Sequence, residues 1–348
     1  MAFYQNKILT FTFNQDKSCI AIGTENGFMI YNTNPFKSSF KRDMKGGIGI
    51  IEMLNSSNIL AFTGGGQNPK IDENKVVIWD DANYKPINEL RFNSKVLNIK
   101  LKRTKIFVIC KHKIYTFSFN EFANIDTIDT ENPNGILGYA LDTRINIIAY
   151  PTFKIGEIAI KNYDDDTQET ININAHQSEI SCLSMNTQGT LLATSSRKGT
   201  VIRIFEVRTR KLIQELRRGT ETAEIFCLTF DKYSKHLACS SNRGTVHIFN
   251  VKYQDEKEVE NTKSIFSGFL SSIGISNDYF NSEWSFSQFR INATCKTFVA
   301  FNEENPENVM TFSEDGTFNF GKYDLIKGGE CKLEYKVNIL NKNEDDDY

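Results

Sequence analysis

Hydrophobic residues occur along this chain in short runs, and no long stretch repeats them with the 3.6-residue period of an amphipathic helix. Phe and Tyr are abundant, with 27 and 13 residues, whereas Pro is scarce, with 6. Aromatic residues favour strands, and few prolines are present to interrupt them. The pattern therefore predicts an all-β fold.

The strongest internal repeat has a spacing of 45 residues. Ile-Ser-Cys-Leu at residues 180–183 returns as Ile-Phe-Cys-Leu at 225–228, and the polar turn at 195–200 returns at 240–245. This spacing is typical of a β-propeller blade. Over 348 residues it predicts one seven-bladed propeller of WD40-like repeats spanning residues 1–348. The predicted blade limits are 1–40, 41–90, 91–130, 131–175, 176–217, 218–290 and 291–348.

Two segments fall outside the repeat. Residues 252–283 interrupt the sixth blade with a charged stretch followed by scattered apolar residues. A loop of this length inside a compact domain is either functional or disordered, and the sequence leaves both open. Residues 344–348 are predicted to be a solvated acidic tail.

The overall charge excludes some classes of function. A formal net charge of −2 and a pI near 6.2 exclude bulk electrostatic attraction to nucleic acid or to a membrane, so any anion site must be local. The start of the chain lacks the pattern of a signal peptide, and no apolar run is long enough to span a bilayer. We expect a soluble cytosolic monomer that binds no nucleic acid, with seven reduced, buried cysteines.

Arg217 and Arg218 lie at the join between the two best-matched blades. Successive side chains of an extended backbone point to opposite sides, so each arginine is predicted to face its own blade. Equivalent positions of the two blades add cations, hydroxyls and imidazoles, with no carboxylate among them. In blade five these are His176, Ser178, Ser196, Lys198, Thr200 and Arg203, and in blade six Ser240, Ser241, Arg243, Thr245 and His247.

Such groups suit phosphate oxygens, because arginine offers a planar fork of donors and the hydroxyls add further ones. If the histidines contact phosphate, affinity should rise as pH falls through about 6.5. The alternative is an ordinary exposed arginine pair with surface salt bridges, beside Ser and Gly residues that serve only the turns. The residues alone leave both interpretations open.

The same segments resemble the PROPPIN family of phosphoinositide-binding propellers that act in autophagy. The family's hallmark is Phe-Arg-Arg-Gly, and Leu-Arg-Arg-Gly at residues 216–219 is similar to its WIPI-like branch. Residues 68–81 and 280–286 also resemble that branch. Asn242-Arg243 departs from the Asp-Lys of many relatives, which leaves the preference among lipids undetermined.

The resemblance implies a peripheral effector of autophagosome formation that binds phosphatidylinositol 3-phosphate and 3,5-bisphosphate. It implies one site with Arg217 and the blade-five set, and a second with Arg218 and the blade-six set. It also implies that the loop at residues 252–283 enters the bilayer through Ile265, Phe266, Phe269, Leu270 and Ile273. The protein would be cytoplasmic and would associate with phagophore, preautophagosomal, endosomal or vacuolar membranes.

Asn14 and Asp16 resemble a motif through which relatives bind a rod-like lipid-transfer protein, although a simple turn between strands explains them better. The competing function is a WD-repeat scaffold that holds acidic peptides without lipid. Catalysis is not expected, because the glycine-rich segments lack the Lys-Ser/Thr of a P-loop and no nucleophile stands with a base. We expect no cofactor and no metal.

Overall fold

Seven β-sheets, antiparallel except for one added strand in each of two sheets, form the blades of a β-propeller. The computed structural model describes residues 7–165, 169–252, 282–291 and 294–341, and no helix occurs within these ranges. The predicted all-β, seven-bladed fold is therefore confirmed. In blades one to five, the first four strands run from the inner strand outward in chain order, because mostly short turns join neighbours along the chain.

The first four blades use the strands of the amino-terminal half in order. Blades one and two contain β1 (Ile8–Phe13), β2 (Cys19–Thr24), β3 (Gly27–Thr33), β4 (Phe36–Asp43), β5 (Ile48–Met53), β6 (Ile59–Gly64), β7 (Lys75–Asp80) and β8 (Lys85–Arg91). Blades three and four contain β9 (Val96–Leu101), β10 (Lys105–Cys110), β11 (Lys113–Ser118), β12 (Asn124–Asp129), β13 (Gly138–Tyr139), β14 (Ile147–Pro151), β15 (Glu157–Asn162) and β16 (Thr170–Asn174).

Blades five and six each gain an additional strand at the outer edge. Blade five contains β17 (Ile180–Met185), β18 (Leu191–Ser196), β19 (Val201–Glu206), β20 (Leu212–Arg217) and the added β24 (Glu283–Trp284). Blade six contains β21 (Ile225–Phe230), β22 (His236–Ser241), β23 (Thr245–Asn250), β25 (Ser287–Arg290) and the added β29 (Gly329–Glu330). Blade seven contains β26 (Thr297–Phe301), β27 (Asn308–Ser313), β28 (Thr317–Lys322) and β30 (Lys332–Asn338).

The core of the protein is divided among the junctions between blades. One cluster of buried apolar side chains joins each blade to the next, and a further cluster joins blade seven to blade one. A sheet that is covered on both faces has no polar side, and β18 and β22 are accordingly buried at every position. Cys110, Cys239 and Cys331 are buried, and the other four cysteines, also free thiols, are half-buried.

The ring closes through side chains. Blades one and seven are each built from strands of one end of the chain, and among the residues that the structure describes no strand is shared between them. Phe36 stacks on Phe318 with ring centroids 3.9 Å apart and planes 5° from parallel, and Phe11 contacts Phe298 and Phe312. Aromatic packing of this kind adds to the burial of apolar area. The closure therefore depends on this aromatic cluster.

Candidate functional site

The two arginines of residues 216–219 point to opposite faces of blade five. Leu216 is wholly buried in the cluster between blades five and six, and the Gln214 side chain donates to the carbonyl of Asn250 in blade six. Glu215 and Arg217 share the other face of β20, because side chains alternate along a strand. Arg218 lies on the same face as Leu216. The predicted division between the two arginines is thus present in the structure.

The first cluster lies on the face of blade five that is turned toward blade four. Arg203 is opposite Glu215 in the pairing of β19 with β20, and its Nε donates to Glu215 Oε2 at 2.9 Å. Its terminal nitrogen donates to the carbonyl of Ala175 at 2.7 Å. Arg217 Nε donates to Ser282 Oγ at 3.1 Å. Two guanidinium groups therefore lie on one face, and a carboxylate orients one of them.

His176 is buried beside this cluster. Its Nε2 lies 2.9 Å from Thr194 Oγ1, and the Thr194 hydroxyl donates to the carbonyl of Arg203, so Nε2 carries the hydrogen in the neutral ring. Burial lowers the pKa of His176 to about 4, and the nearby Arg203 charge contributes. The imidazole is neutral at pH 7, with Nδ1 an acceptor. Its direct effect is to position Thr194 and Arg203.

The remaining predicted members of the first set lie at the blade end. Ser196 is buried on the same face as Thr194, and its carbonyl accepts the Gly199 amide within the turn. Lys198 is exposed in that turn, while Ser178 and Thr200 are half-buried. The Thr200 carbonyl accepts the Arg218 amide at 3.0 Å, which couples the turn to the arginine pair. Lys198 is the most accessible cation of the set.

Arg218 is the central group of the second cluster and is only 6% exposed. Its Nε donates to the carbonyl of Gly199 at 2.9 Å, and a terminal nitrogen donates to the carbonyl of Glu221. Burial lowers the pKa of Arg218, and the charge of Arg243 acts in the same direction. The guanidinium is held between two carbonyls of the backbone and its orientation is fixed before any ligand arrives.

The blade-six side of the second cluster carries an imidazole and a further cation. His247 Nδ1 lies 3.2 Å from Ser285 Oγ, and burial, aided by the Arg218 charge, lowers the pKa of His247 to about 4. Arg243 donates to the Thr222 carbonyl at 2.7 Å and pairs with the exposed Glu221 at 3.1 Å.

Ser241 and Thr245 lie on the same sheet face as His247, since Ser241 is two residues from Cys239, the strand partner of His247. These positions combine hydroxyls, an imidazole and cations.

A difference of register decides which positions of the two blades are equivalent. Thr194 is opposite Arg203 in blade five, whereas Cys239, 45 residues after Thr194, is opposite His247. Counting 45 residues from Arg203 leads instead to Ile248, which packs toward blade seven. The turn of blade six is thus one residue shorter, and a shift of one residue changes the face of a side chain. Arg203 and His247 are the structural equivalents.

Ser240 does not join the second cluster. It lies on the face of β22 turned toward blade seven, and its hydroxyl donates to the carbonyl of Thr297 at 2.6 Å. The expectation that it faces Arg218 is wrong, because Ser240 and Ser241 alternate across the sheet and Ser241 takes the face of Cys239. Ser240 instead joins the sixth blade to the seventh.

The two predicted sets contain no carboxylate, but the structure places one beside each of them. Glu215 and Glu221 lie against Arg203 and Arg243. The Glu215 position could have been found from the sequence, since it is two residues before Arg217 and therefore on the same strand face. No sequence feature indicated that Ser282 and Ser285 contact Arg217 and His247, because blade five has no counterpart of that segment.

The model of a known protein family matches this chain over nearly its whole length. The family model of PROPPIN matches residues 7–333. The chain belongs to the PROPPIN family. This PROPPIN is 35% identical over 335 residues to Autophagy-related protein 18e of Arabidopsis thaliana, a match covering 95% of this chain and 87% of that protein. It is 34% identical over 343 residues to SVP1-like protein 2 of Pichia angusta, covering 95% and 94% of the two chains.

A solved structure agrees with the same family. Kluyveromyces lactis Hsv2 with complete loop 6CD superposes with a TM-score of 0.79 at 25% identity, covering 96% of this chain and 99% of that chain. The resemblance to the PROPPIN family, expected from residues 175–219 and 240–249, is therefore confirmed. Two of the curated relatives are named autophagy-related protein 18, from Yarrowia lipolytica and Dictyostelium discoideum.

Two groups of predicted residues lie elsewhere in this PROPPIN. Asn14 is wholly buried, and its side-chain amide donates to Ser18, to the Asn55 carbonyl and to Ser56, so it joins the first turns of blades one and two. Asp16 is exposed beside it. The predicted membrane residues Ile265, Phe266, Phe269, Leu270 and Ile273 lie outside the described residues. Within the described ranges, no helix is long and apolar enough to cross a bilayer.

Proposed function

We propose that this PROPPIN is a non-enzymatic peripheral membrane protein that binds phosphoinositide head groups at two sites and acts in autophagosome formation. The lipids would be phosphatidylinositol 3-phosphate and phosphatidylinositol 3,5-bisphosphate. The observation that carries the proposal is the division of Arg217 and Arg218 between opposite faces of blade five, each beside further cations and hydroxyls. The names of the relatives support the role in autophagy.

The chemistry of the two clusters suits phosphate. Arg203 and Arg217 present planar forks of N–H donors, and charge-assisted hydrogen bonds to phosphate are about twice as strong as neutral ones. Lys198 adds an exposed cation at the first site, and Arg243 adds one at the second. Glu215 must share Arg203 with any phosphate, so the first site binds more weakly than its cations alone suggest. Two weak sites on one rigid body still give strong membrane binding through effective concentration.

Flotation with liposomes tests this proposal. Arg217→Thr combined with Arg218→Thr should abolish binding to vesicles that contain phosphatidylinositol 3-phosphate. The matched control is Arg103→Thr combined with Arg144→Thr, which removes the same charge from exposed positions of blades three and four. Unchanged flotation of the first variant, or equal loss in the control, would contradict binding at these two sites.

A scaffold for acidic peptides is the second candidate. The observation in its favour is that Arg203 and Arg243 already bind carboxylates of the chain itself. Isothermal titration with soluble inositol 1,3-bisphosphate distinguishes the two functions. A scaffold gives no stoichiometric heat with this head group, whereas a phosphoinositide receptor does.

A further inference from the structure

A polar cavity lies in the central channel of the propeller. Its volume is about 180 Å³, and the first strands of blades one, three, four, five, six and seven all contribute to its wall. Strands from so many blades meet at the axis of the ring, so the cavity is part of the channel. Among the described residues that line it, none belongs to the two arginine clusters.

The wall of this cavity carries polar side chains at one repeated position. The next-to-last residue of the first strand is Thr12 in blade one, Lys100 in blade three, Ser184 in blade five and Thr229 in blade six. All four line the cavity, and Glu52 occupies the same position in blade two. The residues on either side of each are buried between blades, so the polar side chains point the other way, toward the axis.

The carboxylate of this ring is already neutralised. Glu52 Oε2 accepts Lys100 Nζ at 2.9 Å, and Glu52 Oε1 accepts the Tyr139 hydroxyl at 3.5 Å. Burial raises the pKa of Glu52, and the Lys100 charge opposes that rise. Cys227 also lines the cavity, and burial raises the pKa of its thiol, which is therefore neutral at pH 7. The channel holds no thiolate that could balance a second cation.

Lys17 supplies that second cation. It enters the cavity from the turn after the first strand of blade one, and its Nζ donates to the carbonyl of Asn14 at 3.4 Å, which is long for such a bond. Among the described residues, its ammonium forms no ion pair, and Glu303, which acts on it from a distance, is paired with Lys232 at 3.9 Å. Burial lowers the pKa of Lys17. The ammonium has lost water without gaining a counterion.

Hydroxyl groups beside the two lysines are weakly engaged. The hydroxyls of Thr12 and Thr229 donate to the carbonyl of the following residue at 3.3 and 3.4 Å, beyond the usual range of about 2.5–3.0 Å. A hydroxyl rotates freely and can turn to a stronger acceptor. The cavity therefore combines positive charge with available O–H donors, which is the complement of an oxyanion.

We propose that the central channel binds one small inorganic oxyanion of the phosphate class between Lys17 and Lys100. The hydroxyls of Thr12, Ser184 and Thr229 donate to its remaining oxygens. The ion supplies the counterion that Lys17 lacks and joins blades one, three, five and six at the axis. A ligand that binds only the closed ring stabilises the folded protein. This site is separate from the arginine clusters and does not depend on the proposed head-group binding.

Calorimetric titration of the full chain with inorganic phosphate, at an ionic strength held constant with chloride, tests the site. Lys17→Met removes the ammonium and keeps the length of the side chain. The matched control is Lys45→Met, because Lys45 has a φ of +57°, close to the +61° of Lys17, and its side chain is 83% exposed. All three proteins keep both arginine clusters. Lys17→Met should lose one phosphate per chain or bind it at least about tenfold more weakly, whereas the control should match the parent.

Urea unfolding adds an independent measurement. Without phosphate, the midpoint of Lys17→Met should equal or exceed that of the parent, because a buried charge without a counterion is removed. Phosphate should raise the midpoints of the parent and the control more than that of Lys17→Met. Thr229→Val keeps the shape and every charge and should weaken phosphate binding several-fold, so the site remains testable even if Lys17→Met does not fold.

The outcomes separate this site from the proposed function. Equal phosphate binding by the parent, Lys17→Met and Thr229→Val would overturn the channel site. A loss in Lys45→Met as large as in Lys17→Met would show general attraction to the surface and would also overturn it. The affinity for soluble inositol 1,3-bisphosphate should be the same in Lys17→Met and the parent, and an equal fall for both ligands would assign Lys17 to the head-group sites instead. Phosphate binding that depends on Lys17, without head-group heat in the parent, would contradict the proposed function and support the channel site.

Discussion

Replacing Arg218 should weaken the fold as well as lipid binding, whereas replacing Arg217 should affect lipid binding alone. Arg218 is 6% exposed, and its guanidinium donates to the carbonyls of Gly199 and Glu221. Arg217 is half-buried and its Nε donates to Ser282. The two substitutions remove the same charge, but we expect them to lower the free energy of unfolding by different amounts.

The magnitude follows from the two contacts of Arg218. A hydrogen bond from a charged donor contributes about 1.5–3 kcal/mol, and a buried acceptor left without a donor costs about 1–3 kcal/mol. Removing the guanidinium also ends its own desolvation cost, whose direction is visible in the lowered pKa of Arg218. We therefore expect Arg218→Thr to lower the free energy of unfolding by about 2–4 kcal/mol and Arg217→Thr by less than about 1 kcal/mol.

Urea unfolding followed by tryptophan fluorescence measures this difference. The chain contains two tryptophans, and Trp284 lies opposite Arg217 in the sheet, so the signal reports on the region concerned. The midpoint for Arg218→Thr should fall clearly below that for Arg217→Thr. Equal midpoints of the two variants would refute the role assigned to the two carbonyl contacts. If both also equalled the parent's midpoint, a loss of binding in the double variant could not be attributed to unfolding.

Three further predictions concern the imidazole of His176, the carboxylate of Glu215 and the closure of the propeller ring. The pKa of His176 is about 4 in the folded protein and about 6.5 in the unfolded chain, so its contribution to the free energy of unfolding is fully present above pH 6.5 and is lost toward pH 4, by up to about 3 kcal/mol. His176→Asn should therefore flatten the pH profile of urea unfolding. An unaltered slope would contradict this. Glu215→Gln should raise the affinity for inositol 1,3-bisphosphate several-fold, because it removes a negative charge beside Arg203 and keeps an acceptor; weaker binding in calorimetry would show that the charge of Glu215 is needed to orient Arg203. Phe36→Ala should cost about 2–4 kcal/mol by removing the ring that stacks on Phe318; an unfolding midpoint equal to the parent's would exclude a role of this stacking in closure.

The sequence was sufficient to predict the propeller because a blade is a local unit. The 45-residue repeat and the absence of helical periodicity both arise from consecutive strands that pair with their neighbours. The direction of Arg217 and Arg218 follows from the alternation of side chains, which needs no knowledge of distant contacts. These features are properties of short segments, and short segments are visible in a sequence.

One error concerns the face of a strand, and the omissions come from contacts between segments far apart in the chain. The assignment of Ser240 to the second cluster failed because the repeat aligns residues but does not reveal which face of the strand a residue takes. The contribution of Ser282 and Ser285 depends on where the chain re-enters the sheets after residue 281, and β24 pairs with blade five rather than with blade six. Tertiary pairing of this kind leaves no local pattern.

The stoichiometry of head-group binding tests the central claim most directly. Isothermal titration of the parent chain with soluble inositol 1,3-bisphosphate should show two molecules bound per chain, and Arg217→Thr should retain one, because Arg218 and its cluster face blade six. A stoichiometry of one in the parent, or a loss of both sites in Arg217→Thr, would contradict two separate sites divided by the arginine pair. No heat at all would contradict head-group binding itself.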